Sequence, residues 1–228
     1  MFMSKAKLYI VSTPIGNMAD ITLRALETLK GVDMILSEDT RETDKLLKRY
    51  SFSKPQLSYR DQNHARVIEQ VKEMLRNGKS LALVSDSGTP LISDPGFKLV
   101  RDLTAENIEV EAIPGPSAVT AALSISGLPT DKFLFLGFLP KGKFQVEKFF
   151  EKYSGIDATL IFYESPFRLS GSMQIAQKVL GHRQACVCND ITKMYEEVVR
   201  GSLEEISDHY SKKKIKGEFV VLIAKKDY

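Results

Sequence analysis

Four short apolar runs, "KLYIVS", "VDMILS", "SLALVS" and "IEVEAI", recur through the first half of the chain, with segments of helical spacing between them. No other feature constrains the fold as tightly. A strand buried on both faces reads as a near-continuous apolar run, and parallel neighbours need a crossover, usually a helix. The alternation therefore predicts a mostly parallel sheet covered by helices on both faces. Leu23, Leu26 and Leu29 mark the first helix, with Asp20 as its expected cap and Gly31 at its end. His64 to Asn77 is a second, with Val67, Ile68, Val71, Met74 and Leu75 as its apolar stripe and Gly78 as its stop. "FKLVRDL" is a third.

After "PGPS" the texture changes. "AVTAALSIS" reads as a helix of small residues, and Val146, Phe149, Phe150 and Tyr153 mark another. Leu169, Met173, Ala176 and Leu180 mark a further helix. "KFLFLGF", "ATLIFY", "QACVCN", "EVVRG" and "EFVVLIA" read as strands. The last two are expected to lie antiparallel, because only a short helical segment divides them. A chain of 228 residues accommodates one large domain or two small ones. The expected boundary lies near Pro116, giving an α/β domain over 1–116 and a second, with a mixed sheet, over 117–228.

Several classes of function are set aside. The net charge of +3 permits a polyanionic partner without requiring one. Cys186 and Cys188 sit two apart on a strand, share a face, and are expected to be buried thiols. His64, His182 and His209 show no metal-ligand spacing. "MFMSKAK" is not followed by the apolar segment of a signal peptide, and no run reaches a membrane span. A cytoplasmic protein with no membrane partner is expected. There is no "GxxxxGK[ST]" and no "GxGxxG" after the first strand, which argues against a P-loop and the usual dinucleotide site.

In a doubly wound sheet, ligands sit beyond the carboxyl ends of the strands. The loops at those ends are "STPIGN", "SEDTRETD", "SDSGTPLISDPG" and "PGPS". Gly lets backbone approach a ligand, Pro stiffens the approach, and Asp accepts hydrogen bonds from hydroxyl or ammonium groups. One such loop is an ordinary turn; four at one sheet edge predict a ligand site. Plain alternatives stand beside each. Ser117 can be a helix cap and nothing more. Asp39 or Thr40 can cap a charged helix. Glu164 and Arg168 in "FYESPFR" can form a surface ion pair. Lys193, Glu196, Glu197 and Arg200 can be solvated strand-edge charges.

Taken in order, "STPIGNMADITLRALETL", "SEDTR", "LVSDSGTPLISDPG", "PGPSAVTAALSISGLPTDKF", "FYESPFR", "ITK" and "KGE" resemble one family. It is the small-subunit ribosomal RNA methyltransferase I family, a branch of the tetrapyrrole methylase (class III methyltransferase) superfamily. The resemblance runs from about Leu8 to Ala224. It implies two α/β domains with a cofactor cleft between them, S-adenosylmethionine as methyl donor, and a homodimer. It implies a ribose 2′-hydroxyl of a cytidine in the decoding region of 16S rRNA as acceptor, on the RNA or the small ribosomal subunit. Carried over as cofactor contacts are Ile10, Pro14, Asp86, Gly88, Thr89, Ser117, Ala118, Phe162, Tyr163, Gly217 and Glu218. The chain departs from the family at "CND" before "ITK", where an Arg-Glu pair is expected, and at Tyr195, where His is usual. Many relatives also continue into a helical C-terminal segment beyond the position of Tyr228.

Methyl transfer demands an in-line approach and a base for the hydroxyl proton. Asp39, Glu197 and a Lys193 of lowered pKa are the candidate bases, and Arg41 is a candidate phosphate contact. Lys45, Lys48, Arg49, Lys141, Lys143 and Lys212 to Lys214 are candidate contacts to the RNA backbone. Two other readings compete: a methyltransferase for a tetrapyrrole or other small molecule, and a cofactor-binding regulator without catalysis.

Overall fold

The apolar runs of the first half all become strands, and one short strand joins them that the runs did not announce. In the computed structural model, which describes residues 6–211, 215–226 and 228, the chain divides into units Met1–Ser117 and Ala118–Tyr228. The first unit contains β1 (Leu8–Val11), α1 (Leu23–Gly31), β2 (Met34–Ser37), α2 (Thr40–Arg49), β3 (Gln56–Ser58), α3 (His64–Arg76), β4 (Leu81–Val84), α4 (Phe97–Ala105) and β5 (Val110–Ile113). Its strands form a five-stranded sheet in the order β3-β2-β4-β1-β5, every pairing parallel. β3 escapes the reading of the sequence because a three-residue edge strand of mixed polarity carries no apolar run.

Side chains alternate across this sheet. Leu8, Leu36, Leu81 and Leu83 face a core with α3 and α4, whereas Val11, Ile35, Ala82 and Val84 face one with α1 and α2. The crossovers through α1 and α2 run toward β3; those through α3 and α4 run back toward β5. Helices on opposite faces therefore leave the neighbouring strands β1 and β4, which makes their carboxyl ends the switch point of the sheet.

Two local expectations change. Thr22, not Asp20, caps α1, its side chain accepting from the Ala25 N–H at 3.0 Å; Asp20 instead closes a short 3-10 turn at Met18–Asp20. In α1, Ala25 and Leu29 are buried and Leu26 packs beside them, while Leu23 is 80% exposed. Gly31 is the last helical residue, and Val32 follows it in extended conformation.

The second unit contains α5 (Ala118–Ser126), β6 (Phe133–Phe138), α6 (Lys143–Tyr153), β7 (Thr159–Glu164), α7 (Leu169–Leu180), β8 (Gln184–Asn189), β9 (Glu197–Ser202), α8 (Leu203–Ser211) and β10 (Phe219–Ile223). Its mixed sheet has the order β6-β7-β10-β8-β9. β6 and β7 are parallel, and the remaining pairings are antiparallel. β9 and β10 do not pair, contrary to expectation: β8 lies between them and is antiparallel to both. α8 provides a full crossover, so β10 returns in the direction of β9 and takes the free side of β8. One face of the sheet buries Phe150, Phe162, Met173 and Tyr210 among α6, α7 and α8. The small-residue helix α5 lies against β8 and β10 and buries Val119, Ala122 and Leu123. Cys186 and Cys188 are buried thiols with sulfurs 3.8 Å apart. Among the described residues, no helix is long and apolar enough to cross a membrane, and no His, Cys, Asp and Glu cluster could hold a metal.

Candidate functional site

At the switch point of the first unit, the loops after β1 and β4 are tied backbone to backbone. Thr13 N–H donates to the Gly88 carbonyl at 2.8 Å, and Gly88 N–H returns to Thr13 at 3.1 Å. Gly88 has φ +78°, and an added Cβ would sit 3.3 Å from Ile15 Cγ2, so this crossing favours glycine twice over. The Thr89 hydroxyl joins a third loop: it lies 3.0 Å from Ser12 Oγ and donates to the Pro116 carbonyl at 3.0 Å. Pro14 and Thr89 are half-buried here, and Ser117 ends the unit directly before Ala118 opens α5. Ile10 is half-buried and packs toward α3 and α4.

A carboxylate cluster adjoins this crossing. Asp86 Oδ1 accepts from the Asp39 N–H at 3.0 Å, joining the end of β2 to the loop after β4. Burial raises Asp86 above the usual carboxylate value, the charges of Asp39 and Glu42 adding to it against the Asp39 N–H. Glu38 is raised by burial and by the Asp86 charge. Asp94, in the same loop as Asp86, is pushed up to about 6 by burial and by Glu38 and Asp86, against a hydrogen bond from Ser85. Asp39 behaves oppositely. It caps α2 through the Arg41 N–H at 2.9 Å, and Arg41 Nη2 lies 2.6 Å from its Oδ2. These hydrogen bonds hold the Asp39 carboxyl well below its ordinary range and Arg41 above its own. Arg60 donates to the Glu38 carbonyl at 3.0 Å and brings a second cation to the edge.

In the second unit, Lys193, Gly217 and Glu218 meet where the loop after β8 passes the start of β10. Lys193 Nζ lies 2.7 Å from Glu218 Oε2 and 3.1 Å from Asp190 Oδ1. Burial lowers the Lys193 ammonium, but the hydrogen bonds and charges of Glu218 and Asp190 outweigh it and leave it raised. The lowered pKa expected of Lys193 is therefore reversed, because two carboxylates face it. The loop is wound tightly: Asp190 has φ 49° and Thr192 has φ 67°. Gly217 has φ +104°, and a Cβ there would land on the side chains of Asp190 and Asn189.

Phe162 points into the core, its ring 5.7 Å from that of Phe150. A contact from Phe162 to a ligand would thus use its backbone. Tyr163 points to the opposite face, half-buried between Phe135 and Phe138. Glu197 opens β9, and its carboxylate lies 3.4 Å from His209 Nε2. Glu164 is no surface partner of Arg168: it ends β7 fully buried, 2.6 Å from the guanidinium, and accepts from Ser172 Oγ at 2.6 Å. Arg168 also donates to the Leu139 and Pro140 carbonyls.

The structure thus brings Pro14, Asp39, Arg41, Asp86, Gly88 and Thr89 together at one sheet edge of the first unit. It brings Lys193, Gly217 and Glu218 together in the second, with Glu197 on β9, separated by β10 and β8 from β7 and its Tyr163. Ser12, Ser85, Asp94 and Arg60 were not singled out in the sequence, though Ser12, Ser85 and Asp94 stand in the quoted loops. Ser12 and Arg60 meet partners from distant segments, Thr89 and the Glu38 carbonyl, which leave no local signal. Lys212 to Lys214 lie outside the described residues.

The chain also matches known proteins over most of its length. The family model for tetrapyrrole (corrin/porphyrin) methylases matches residues 7–207. The chain is 43% identical to ribosomal RNA small subunit methyltransferase I of Thermotoga maritima, over 97% of this chain and 99% of that one. It is 47% identical to the protein of the same name from Rickettsia prowazekii, over 96% of this chain and 79% of that one. Uroporphyrin-III C-methyltransferase from Thermus thermophilus, solved with S-adenosylhomocysteine, shares the fold at TM-score 0.64 and 17% identity, covering 96% of this chain and 97% of that one. The chain belongs to the tetrapyrrole methylase family, in the branch whose members are named ribosomal RNA small subunit methyltransferase I.

Proposed function

We propose that this protein transfers a methyl group from S-adenosylmethionine to the 16S rRNA of the small ribosomal subunit, on the 2′-hydroxyl of a cytidine ribose in the decoding region. The observation that carries the reading is identity of 43% and 47%, over 97% and 96% of the chain, to relatives named for small-subunit rRNA methylation. The reading places the enzyme in the cytoplasm beside its substrate, and the family resemblance is the ground for a homodimer.

The first unit's site fits the donor. S-adenosylmethionine carries an ammonium and a sulfonium, and the edge offers the raised carboxylates Asp86, Glu38 and Asp94. Among the described residues, hydrogen bonding engages Asp86 Oδ1 and leaves Oδ2 for a cation or ribose hydroxyl. The absence of a side chain at Gly88 lets the two loops cross closely beside Ile15 and the Pro116 carbonyl. Bound there, the donor supplies an electrophilic methyl carbon. Every other task falls to the chain's own groups.

Most of that work is positioning. Asp39 holds Arg41 as a fixed cation suited to an RNA phosphate. Lys193 remains an ammonium and steadies negative charge on the acceptor side. Asp39 and Lys193 are thereby poor bases, the first held too acidic and the second too basic. Of the three candidate bases this leaves Glu197, whose carboxylate lies 3.4 Å from His209 Nε2, and we assign it the hydroxyl proton. Ala118, Phe162, Tyr163, Gly217 and Glu218 remain proposed donor contacts, and Ile10, Pro14, Thr89 and Ser117 complete the set. The test is transfer of labelled methyl from S-adenosylmethionine to small subunits lacking the modification, beside a tetrapyrrole acceptor. Label in the tetrapyrrole alone, or in neither, rejects the reading.

A further inference from the structure

The second unit presents aromatic rings to solvent at one end of its sheet. β6 and β7 are parallel, so the loops that follow them emerge side by side. Phe138 ends β6 and is 59% exposed, Phe144 lies in the first turn of α6 and is 66% exposed, and Phe167, in the turn after β7, is 97% exposed. A single exposed apolar side chain means little. Three phenylalanines at or beyond the ends of two adjoining strands are a different matter, because each would gain from being covered.

These loops are braced. The Arg168 guanidinium clamps the buried Glu164 and the carbonyls of Leu139 and Pro140, tying the turn that bears Phe167 to the loop that follows Phe138. Ser165 N–H donates to Glu164 Oε1 at 2.8 Å, and Arg168 N–H to the Ser165 carbonyl at 3.1 Å. A ring held on such a turn loses little freedom when something stacks on it. Lys141 and Lys143 stand between Phe138 and Phe144 and form no ion pair among the described residues. Lys148 Nζ lies 5.7 Å from the centre of the Phe144 ring. Rings interleaved with uncompensated cations suit a single-stranded nucleic acid, whose bases stack and whose phosphates need countercharge.

We propose that the loops after β6 and β7 form a stacking platform for unpaired bases of the RNA substrate, with Phe167 as its principal ring and Lys141 and Lys143 as its phosphate contacts. The inference rests on the rRNA reading and adds where the second unit holds the strand. The chain contains no tryptophan, so Phe167→Trp installs a unique reporter of stacking. The probe is a labelled single-stranded RNA of about ten nucleotides, within the span that such grooves cover, with its annealed duplex as control.

Phe167→Ala should weaken single-strand binding by about tenfold. Phe167→Trp should keep parental affinity, with its fluorescence quenched by the single strand and not by the duplex. Lys141→Ala with Lys143→Ala should weaken binding and flatten its salt dependence. S-adenosylmethionine affinity and molecular mass by light scattering should match the parent in every variant. Parental RNA affinity in Phe167→Ala, or an unquenched tryptophan, overturns the platform. A fall in mass on substitution assigns the rings to self-association, and lost S-adenosylmethionine affinity in both Phe167 variants assigns the turn to the donor; each overturns it too. A parent that methylates small subunits while Phe167→Ala binds RNA unchanged fails the platform alone. A parent that neither binds RNA nor methylates fails the functional reading.

Discussion

Asp39 and Asp86 stand 3.0 Å apart through one N–H, yet their environments set them to different work. Asp39 is spent on a helix cap and on Arg41, whereas Asp86 is raised and has an oxygen to offer. Replacing Asp86 by Ala should therefore weaken S-adenosylmethionine binding at least tenfold while thermal unfolding stays near the parent's; calorimetry giving equal affinities would remove Asp86 from the donor site. Arg41→Ala and Lys193→Ala should split the other way. Both should retain donor affinity within about twofold and lose single-turnover methyl transfer, whereas surface charges without a role would leave activity unchanged and usually shift stability by less than about 0.5 kcal/mol. Parental rates in both variants would send the acceptor site elsewhere. Asp94 yields a pH effect. Its folded pKa, about 6, is raised from 3.8, so the folded state binds the proton more tightly and stability is lost as pH climbs through that interval. Asp94→Asn should be more stable than the parent at pH 7.5 by about 1 kcal/mol, a figure discounted for partial solvent screening, and should gain nothing at pH 3.5. Urea unfolding at the two pH values checks the sign.

Elements differ in how plainly the sequence announces them. Gly217 shows what the announcement can omit: "KGE" reads as a turn, but the need for glycine there comes from Asp190 and Asn189, across the sheet in β8 and its loop. Gly217→Ala should cost about 2 kcal/mol or more, because a positive φ and a collision with a carboxylate add. An unchanged urea midpoint would show that the loop yields freely. Apolar runs and helical stripes announced every other strand and the helices His64–Arg76 and Leu169–Leu180, since burial on one or both faces leaves a periodic trace. β3 left none, being short, polar and at an edge. The cap of α1 was misplaced by one short turn, which periodicity does not resolve. The pairing of β9 and β10 failed for a different reason: adjacency in sequence suggests pairing, while α8 is long enough to carry the chain past β8. Glu164 and Arg168 looked like a surface pair because four-residue spacing does not reveal that one partner sits on a buried strand end.

At the scale of the whole molecule, the sheet edge was legible before its chemistry. Gly, Pro and Asp gathered at four parallel strand ends predict a ligand site, and the fold offers a switch point for it: helices on opposite faces follow β1 and β4, and Thr13 and Gly88 tie the two loops together. What those residues could not show was the donor, which came from resemblance and then from relatives sharing almost the full length of the chain. The proposed homodimer should scatter light as twice the mass of one chain at micromolar concentration, and a monomer would refute it. The central claim is methylation of one ribose in 16S rRNA, and mass spectrometry of nuclease fragments reads it directly. Small subunits lacking the modification would be incubated with the protein and S-adenosylmethionine, beside an Asp86→Ala control. The account predicts one added methyl, on a cytidine of the decoding region, at a linkage that resists alkali because its 2′-oxygen is blocked, and little or none with Asp86→Ala. A methyl on the base, on a different nucleotide, or on no RNA at all would contradict it.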